Sequence, residues 1–202
     1  MPREGVENRI VRRGFTLVEL MTVVVIIGVL GLLAVVAFRR YISSSRMAEA
    51  THMLEAIRQA EESYKAETSY YLDVSNDSTV SSGYPAYSET TNPGPPGKRK
   101  TAWGGPCLTC KSDWSNLNVR PDSPVQFAYT VVAGTAKDSP AARSVPTVFD
   151  GTTVSWTNIT GPNSSNPWFI AAAYGDTDGN GKYCTVAANS SGPDLMIDQE
   201  GE

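Results

Sequence analysis

The feature that most constrains this chain is an apolar run near its N-terminus that contains a single carboxylate. In residues 15–38 the polar side chains are Thr16, Glu19 and Thr22. At 1.5 Å per residue, a helix over these residues is about 36 Å long, enough to cross a hydrocarbon core of about 30 Å. A charge at the centre of a bilayer costs roughly 2.5–3.5 kcal/mol on insertion scales. The sequence therefore predicts a membrane-spanning helix in which Glu19 needs a compensating partner.

Two kinds of export signal are the alternatives to a membrane-spanning helix. Basic pairs flank the run on both sides, Arg12-Arg13 before it and Arg39-Arg40 after it, so the positive-inside rule gives no orientation. A cleaved secretory signal has an apolar core of about 7–15 residues, whereas this run is longer and contains Glu19. A twin-arginine signal would use the first basic pair, but the run behind it is very apolar. Both signals explain the run less well than a spanning helix does.

The stretch RRGFTLVELM resembles the N-terminus of type IV prepilins, in which a short charged leader ends in Gly and precedes Phe and an apolar helix. The resemblance covers roughly residues 9–70. It implies that residues 1–14 are a leader, that the prepilin peptidase cuts between Gly14 and Phe15, and that Phe15 then carries an N-methylated amine. Glu19 stands at the position of the family's conserved glutamate.

The prepilin resemblance implies a physical role for the lone acid. Cleavage creates an ammonium group at Phe15, methylation leaves it charged, and both this group and the Glu19 carboxylate are costly in lipid. When helices bundle into a filament, Glu19 of one subunit can pair with the Phe15 amine of its neighbour, so that one contact offsets two desolvation costs. The alternative is an ordinary membrane anchor in which Glu19 reaches the bilayer interface.

The same helix is predicted to continue beyond the membrane. No proline interrupts residues 15–72, and residues 39–72 form its periplasmic part. The resemblance implies the pilin fold, an α+β arrangement in which one long helix packs on a mostly antiparallel C-terminal sheet. Many family members have a proline where this chain has Val36, which leaves open whether the helix melts in a filament. Apolar side chains recur at helical spacings of three, four or seven at Met47, Ala50, Leu54, Ile57 and Tyr64.

The composition changes after the helix. Residues 73–123 are rich in Ser, Thr, Gly and Pro and predict a long surface loop, the αβ-loop of the pilin fold. Residues 124–202 contain the strand patterns PVQFAYTVV, TVSWTNI, WFIAAAY, KYCTVA and DLMID. The connections are too short for helices, so the sheet should be mostly antiparallel. We expect Leu54, Ile57 and Tyr64 to pack under Phe127, Trp156 and Phe169.

The segment DTDGNGK places Asp176, Asp178 and Asn180 at alternate positions, with Gly181 sixth. This matches the first half of an EF-hand loop, but Ala187 stands where the bidentate Glu belongs, and strands are predicted on both sides. A hairpin turn uses the same residue types, because Asp, Asn and Gly tolerate positive φ. Some pseudopilins of the family hold calcium in a C-terminal loop. We predict a turn, with a weak Ca2+ site at Asp176, Asp178 and Asn180 as the alternative.

The cysteines are Cys107 and Cys110 in a C-x-x-C motif, and Cys184 downstream. Haem attachment would need a His at position 111, where this chain has Lys111. Zinc needs four ligands, and the single histidine, His52, lies on the predicted helix. A thioredoxin-like site needs a βαβ setting, which this Gly- and Pro-rich loop lacks. Disulfides are stable in an oxidising periplasm. By resemblance to many pilins, we expect Cys184 to pair with Cys107 or Cys110; the alternative is a Cys107–Cys110 bridge with Cys184 as a buried thiol.

Charge and composition argue against other function classes. The chain has 17 basic and 21 acidic residues, a net charge of −4, so it is not expected to bind nucleic acid in general. With a single histidine and no recognisable nucleophile motif, we expect neither an enzyme nor a resident cofactor.

The resemblance implies a structural subunit of a type IV pilus, and more specifically a minor one. Such a subunit is held in the inner membrane with a periplasmic head, and becomes extracellular when the pilus assembles. Its partners would be other pilin subunits, the prepilin peptidase and methyltransferase, and the inner-membrane assembly platform. The alternatives are a type II secretion pseudopilin and a membrane-anchored periplasmic binding module that does not polymerise.

Overall fold

A computed structural model describes residues 14–85, 96–104, 107, 110–138, 144–146, 148–149, 152–153, 166–177 and 179–198. The chain divides into two compact units, Met1–Ile42 and Ser43–Glu202. Its long helix, α1, covers Leu17–Thr68, and two short 3-10 helices cover Val80–Ser82 and Trp114–Leu117. The strands are Ala128–Gly134 (β1), Val148–Phe149 (β2), Thr152–Thr153 (β3), Trp168–Gly175 (β4), Cys184–Asn189 (β5) and Met196–Asp198 (β6).

The N-terminal half of α1 is the apolar run of the first unit. Every side chain from Phe15 to Phe38 is exposed, including Leu32, which is 74% exposed. Among the described residues, α1 is the one helix that is long and apolar enough to cross a membrane, with a mean hydropathy of 3.0 in an 18-residue window. So many exposed apolar side chains require lipid or other protein around them, because their contact with water is costly in free energy.

The second half of α1 ends at Thr68, four residues before the predicted end at Leu72. Ser69 adopts the left-handed conformation with φ 68°, and its N–H donates to the carbonyl oxygen of Lys65 at 2.8 Å. The left-handed conformation of Ser69 turns the chain out of the helix, while the carbonyl oxygen of Lys65 still accepts a hydrogen bond. The segment after this turn is therefore free to run back along the sheet.

The sheet has four strands in the order β1-β4-β5-β6, and each neighbouring pair is antiparallel. Val131 pairs with Ala171, which in turn pairs with Ala188. This confirms the predicted α+β class and the antiparallel sheet. The short β2–β3 hairpin reaches the start of the predicted strand TVSWTNI, and Trp156 lies outside the described residues.

Side chains alternate between the two faces of the central strand β4, and both faces are buried. Phe169, Ala171 and Ala173 join the cluster that contains Leu54 and Ile57 of α1, whereas Trp168, Ile170 and Ala172 join a second cluster on the opposite face. Phe127 belongs to the helix-facing cluster, as predicted, and Tyr64 packs at its edge and is only partly buried. The apolar face of α1, which follows the helical period, thus packs against the face of β4 that is formed by every second residue.

The segment 72–75 extends the sheet beyond β1. Ser75 donates its N–H to the carbonyl oxygen of Val131 at 2.7 Å, and its hydroxyl accepts the Val131 N–H at 3.1 Å. Farther out, Lys111 donates its N–H to the carbonyl oxygen of Val74 at 2.7 Å, and the backbones of Cys110 and Ser75 pair as an isolated antiparallel β-bridge. The backbone order is therefore Cys110, Ser75, β1, β4, β5.

The predicted surface loop is only partly at the surface. Its aromatic residues Tyr84, Trp103 and Trp114 contact one another, and the rings of Tyr84 and Trp114 stack with centroids 5.6 Å apart. Trp103 also meets Tyr129 of β1, edge to face at 5.9 Å. Rings of this size bury too much apolar area to be left in water, so the loop folds onto the sheet although it has no regular periodicity.

Candidate functional site

The N-terminal motif forms a capping box at the start of α1. The hydroxyl of Thr16 accepts the backbone N–H of Glu19 at 3.2 Å, and Oε2 of Glu19 accepts the backbone N–H of Thr16 at 2.8 Å. The Thr16 hydroxyl also donates to the same Oε2 at 2.8 Å. Reciprocal bonds of this kind satisfy N–H groups that the first turn of a helix leaves without partners. Glu19 therefore caps the helix on which it stands.

The capping role of Thr16 is not among the sequence-based predictions. The signal that could have found it is Thr-x-x-Glu ahead of an apolar segment, which is the capping-box pattern. An unsatisfied N–H costs several kcal/mol in lipid, so a cap of this kind would matter more in a membrane than in water.

The second oxygen of Glu19 is available for another contact. Within the described part of the chain, Oε1 of Glu19 has no hydrogen-bond donor, and the side chain is exposed. Gly14 and Phe15 precede the helix and are also exposed, Phe15 at 89%. The proposed cleavage point thus lies in accessible, non-helical backbone directly before the cap.

The loop after β4 is organised by Asp176, which is buried at 1% exposure. Its Oδ1 accepts the N–H groups of Gly179 at 2.7 Å and Asn180 at 3.1 Å, and its Oδ2 accepts the N–H of Gly181 at 3.0 Å. Gly179 and Gly181 have φ of 82° and 84°, a left-handed conformation that residues with a side chain rarely adopt. This is the geometry of a tight turn built around one carboxylate.

The calcium alternative remains a prediction. Both oxygens of Asp176 hold the turn, Oδ1 of Asn180 accepts the N–H of Lys182 at 2.7 Å, and Asp178 lies outside the described residues. Among the described residues, no group of three or more His, Cys, Asp or Glu side chains could hold a metal ion. The two described candidate ligands thus do not form a metal site by themselves.

The cysteines pair differently from the expectation. Cys107 and Cys110 form a disulfide with Cα atoms 5.4 Å apart. Cys184 is a buried thiol at the start of β5; its Sγ lies 3.2 Å from Sδ of Met47 and donates to the carbonyl oxygen of Asp198 at 3.0 Å. The expected bridge from Cys184 to Cys107 or Cys110 is therefore wrong, and the alternative pairing is the one observed.

The order of the strands explains this pairing. The backbone of Cys110 pairs with that of Ser75, and Ser75 pairs with β1. The strand β4 separates β1 from β5, which carries Cys184. Four neighbouring backbone spacings of about 4.8 Å amount to about 19 Å. A disulfide needs Cα atoms about 4.4–6.8 Å apart. Cys184 cannot reach Cys110 across two intervening strands and the segment 72–75.

Comparison with known proteins agrees with the N-terminal geometry. The family model described as the prokaryotic N-terminal methylation motif matches residues 10–35, which include Gly14, Phe15, Thr16 and Glu19. No curated protein and no solved structure matches the chain. The motif marks substrates of the prepilin peptidase, and its proteins are generally structural and not enzymatic. The chain therefore carries the leader signature of type IV prepilins, which supports its being a pilin-like or pseudopilin-like subunit.

Proposed function

We propose that this chain is a minor subunit of a type IV pilus that polymerises through its N-terminal helix after the leader is removed. The observation that carries the proposal is the N-terminal methylation motif at residues 10–35 on a helix whose apolar side chains are exposed. Such a helix can lie in the inner membrane before assembly and in the packed centre of a filament afterwards.

Glu19 supplies the specific contact in this proposal. Its Oε2 is occupied by Thr16, whereas Oε1 has no donor within the described residues. The methylated ammonium of Phe15 in a neighbouring subunit can donate to Oε1 while the cap stays intact. Two charges that are each costly in lipid then neutralise each other, and the gain exists only in the assembled state. The pairing would thus favour assembly and set the axial register between subunits.

The proposal places the chain among defined partners and compartments. The prepilin peptidase and methyltransferase would process it, other pilin subunits would bind its helix, and the inner-membrane assembly platform would add it to the filament. Its Ser43–Glu202 unit would face the periplasm before assembly and the exterior afterwards. A type II secretion pseudopilin would share the motif and its processing, so this function is the second candidate.

The mature N-terminus tests the proposal. In cells with the native peptidase, mass spectrometry of the purified chain should find an N-terminus at Phe15 with a methylated amine. A chain that starts at Met1, or after Ala37, would contradict it. Gly14→Val is the matched control, because no described atom lies within 4 Å of the added Cβ; lost cleavage in this variant would reflect peptidase recognition and not a steric clash within the chain.

The location of the mature chain separates the candidate functions. A pilus subunit should be recovered in filaments sheared from the cell surface. A pseudopilin should be processed in the same way, yet stay out of sheared filaments and be required for secretion. A membrane-anchored binding module should remain monomeric in the membrane.

A further inference from the structure

Glu61 of α1 is a buried acid that the N-terminal site does not involve. Its side chain has 0% exposure. Its Oε2 accepts the backbone N–H of Leu72 at 2.9 Å, across the turn that ends the helix, while Oε1 is buried and has no hydrogen-bond partner among the described residues. A buried carboxylate with one oxygen unsatisfied is far costlier when ionised than when protonated.

The charged groups around Glu61 do not neutralise it. Burial raises the pKa of Glu61 to about 8, against the lowering effect of the Leu72 hydrogen bond, and the negative charges of Asp73 and Glu62 raise it further. Asp73 lies on the segment after the turn, and Glu62 is the next residue of the helix. Glu61 thus faces two acids that both favour its protonated form.

The nearby cations are engaged with other groups. Lys65 donates to the hydroxyl of Tyr71 at 2.9 Å, Lys111 forms an ion pair with Asp73 at 2.7 Å, and Arg58 donates to the carbonyl oxygen of Pro193 at 2.8 Å. The Tyr71 hydroxyl in turn donates to Oε1 of Glu62 at 2.7 Å. No cation among the described residues makes an ion pair with Glu61.

The segment that Glu61 holds is connected to several parts of the head. Asp73 accepts the backbone N–H of Ala133 in β1 at 3.2 Å as well as the Lys111 ammonium group. Val74 accepts two N–H groups, those of Lys111 and Ser112, beside the Cys107–Cys110 disulfide. The segment 72–75 therefore ties the end of α1, the edge strand β1 and the disulfide loop together.

We propose that Glu61 is a proton-dependent latch, which in its protonated form holds the segment 72–75 against the end of α1 and on losing the proton releases it. The open state exposes the carboxylate to water, so Glu61 there returns to its ordinary pKa of about 4.5. The closed state binds the proton more tightly, so opening becomes easier as the pH rises. The ratio of open to closed segment should grow about tenfold per pH unit between about 4.5 and about 8, and level off above that.

Hydrogen exchange at the Leu72 amide measures this opening directly, since that N–H bonds to Glu61. In the full chain in detergent micelles, with rates corrected for intrinsic exchange, the protection of the Leu72 amide should fall about tenfold per pH unit from pH 6 to pH 8. Glu61→Gln should abolish this slope. Glu67→Gln removes a carboxylate from an exposed position of the same helix and should keep the slope.

A spectroscopic readout keeps the test independent of the variant's folding. Infrared difference spectra of the wild-type chain should contain the carbonyl band of a protonated carboxylic acid at pH 7, and this band should disappear on titration through about pH 8. A flat wild-type protection profile, an unchanged slope in Glu61→Gln, or the absence of the carboxylic acid band at pH 7 would each overturn the latch.

Discussion

The backbone N–H and the hydroxyl of Thr16 both donate to Oε2 of Glu19, each at 2.8 Å, so the acid of the apolar run caps its own helix. A carboxylate in this position has two separable properties: its oxygens accept hydrogen bonds, and it carries a charge. Capping within the chain needs only the acceptor, whereas pairing with an ammonium group of another subunit needs the charge.

Two substitutions at Glu19 separate these properties. Glu19→Ala removes both, and Glu19→Gln keeps a capping acceptor but removes the charge. We expect both variants to be cleaved after Gly14 and both to be depleted in sheared filaments by more than about tenfold, because a hydrogen bond to a charged group is worth about 1.5–3 kcal/mol and about 1.4 kcal/mol corresponds to a factor of ten. Quantitative immunoblots of sheared and membrane fractions measure this. Normal incorporation of Glu19→Gln would leave Glu19 with the capping role alone.

The turn around Asp176 should contribute strongly to the stability of the Ser43–Glu202 unit. Asp176→Ala leaves the N–H groups of Gly179, Asn180 and Gly181 without their acceptor. We expect the free energy of unfolding to fall by about 3 kcal/mol. Denaturant unfolding followed by tryptophan fluorescence, with a chelator present, measures it. The exposed Asp194→Ala should change stability by less than about 0.5 kcal/mol; equal effects of the two variants would contradict the turn's role.

Calcium binding at Asp176, Asp178 and Asn180 has a simple thermal test. If the loop binds Ca2+, calcium should raise the melting temperature of the full chain relative to chelator, since a ligand that binds the folded state stabilises it. Asp178→Ala should lose this shift, and magnesium should not reproduce it because it prefers stricter octahedral geometry. An unchanged melting temperature in the wild-type chain would leave the hairpin turn as the only role of the loop.

Peptide mapping checks the cysteine pairing. Trypsin should cut after Lys100, Lys111 and Lys182, which separates a peptide with Cys107 and Cys110 from one with Cys184. Without reduction, the first peptide should be lighter by two hydrogens, and Cys184 should react with an alkylating agent only after unfolding, because it is buried. A covalent link between the two peptides would contradict the observed pairing.

Several elements were predictable because the signals that define them are local. The apolar run and the Gly-Phe-Thr-Leu-Val-Glu motif are contiguous, so the start of α1 follows directly from them. Leu54 and Ile57 recur at helical spacing, Phe127 alternates within the sequence pattern PVQFAYTVV, and Phe169 lies in the apolar pattern WFIAAAY, so their burial in one cluster could be expected. Glu61 follows Leu54 and Ile57 at helical spacing, so its position on their buried face is also encoded locally.

The amino-acid sequence by itself determined the long apolar helix, the leader motif and the antiparallel class of the sheet, because each depends on neighbours along the chain. The tertiary structure alone decided that two strands and the segment 72–75 lie between Cys184 and Cys110, and that Glu61 meets Leu72 with no compensating cation among the described residues. Both outcomes depend on which distant segments lie side by side. Strand order and the contact between Glu61 and Leu72 are set by packing of the whole Ser43–Glu202 unit, and no local pattern encodes them.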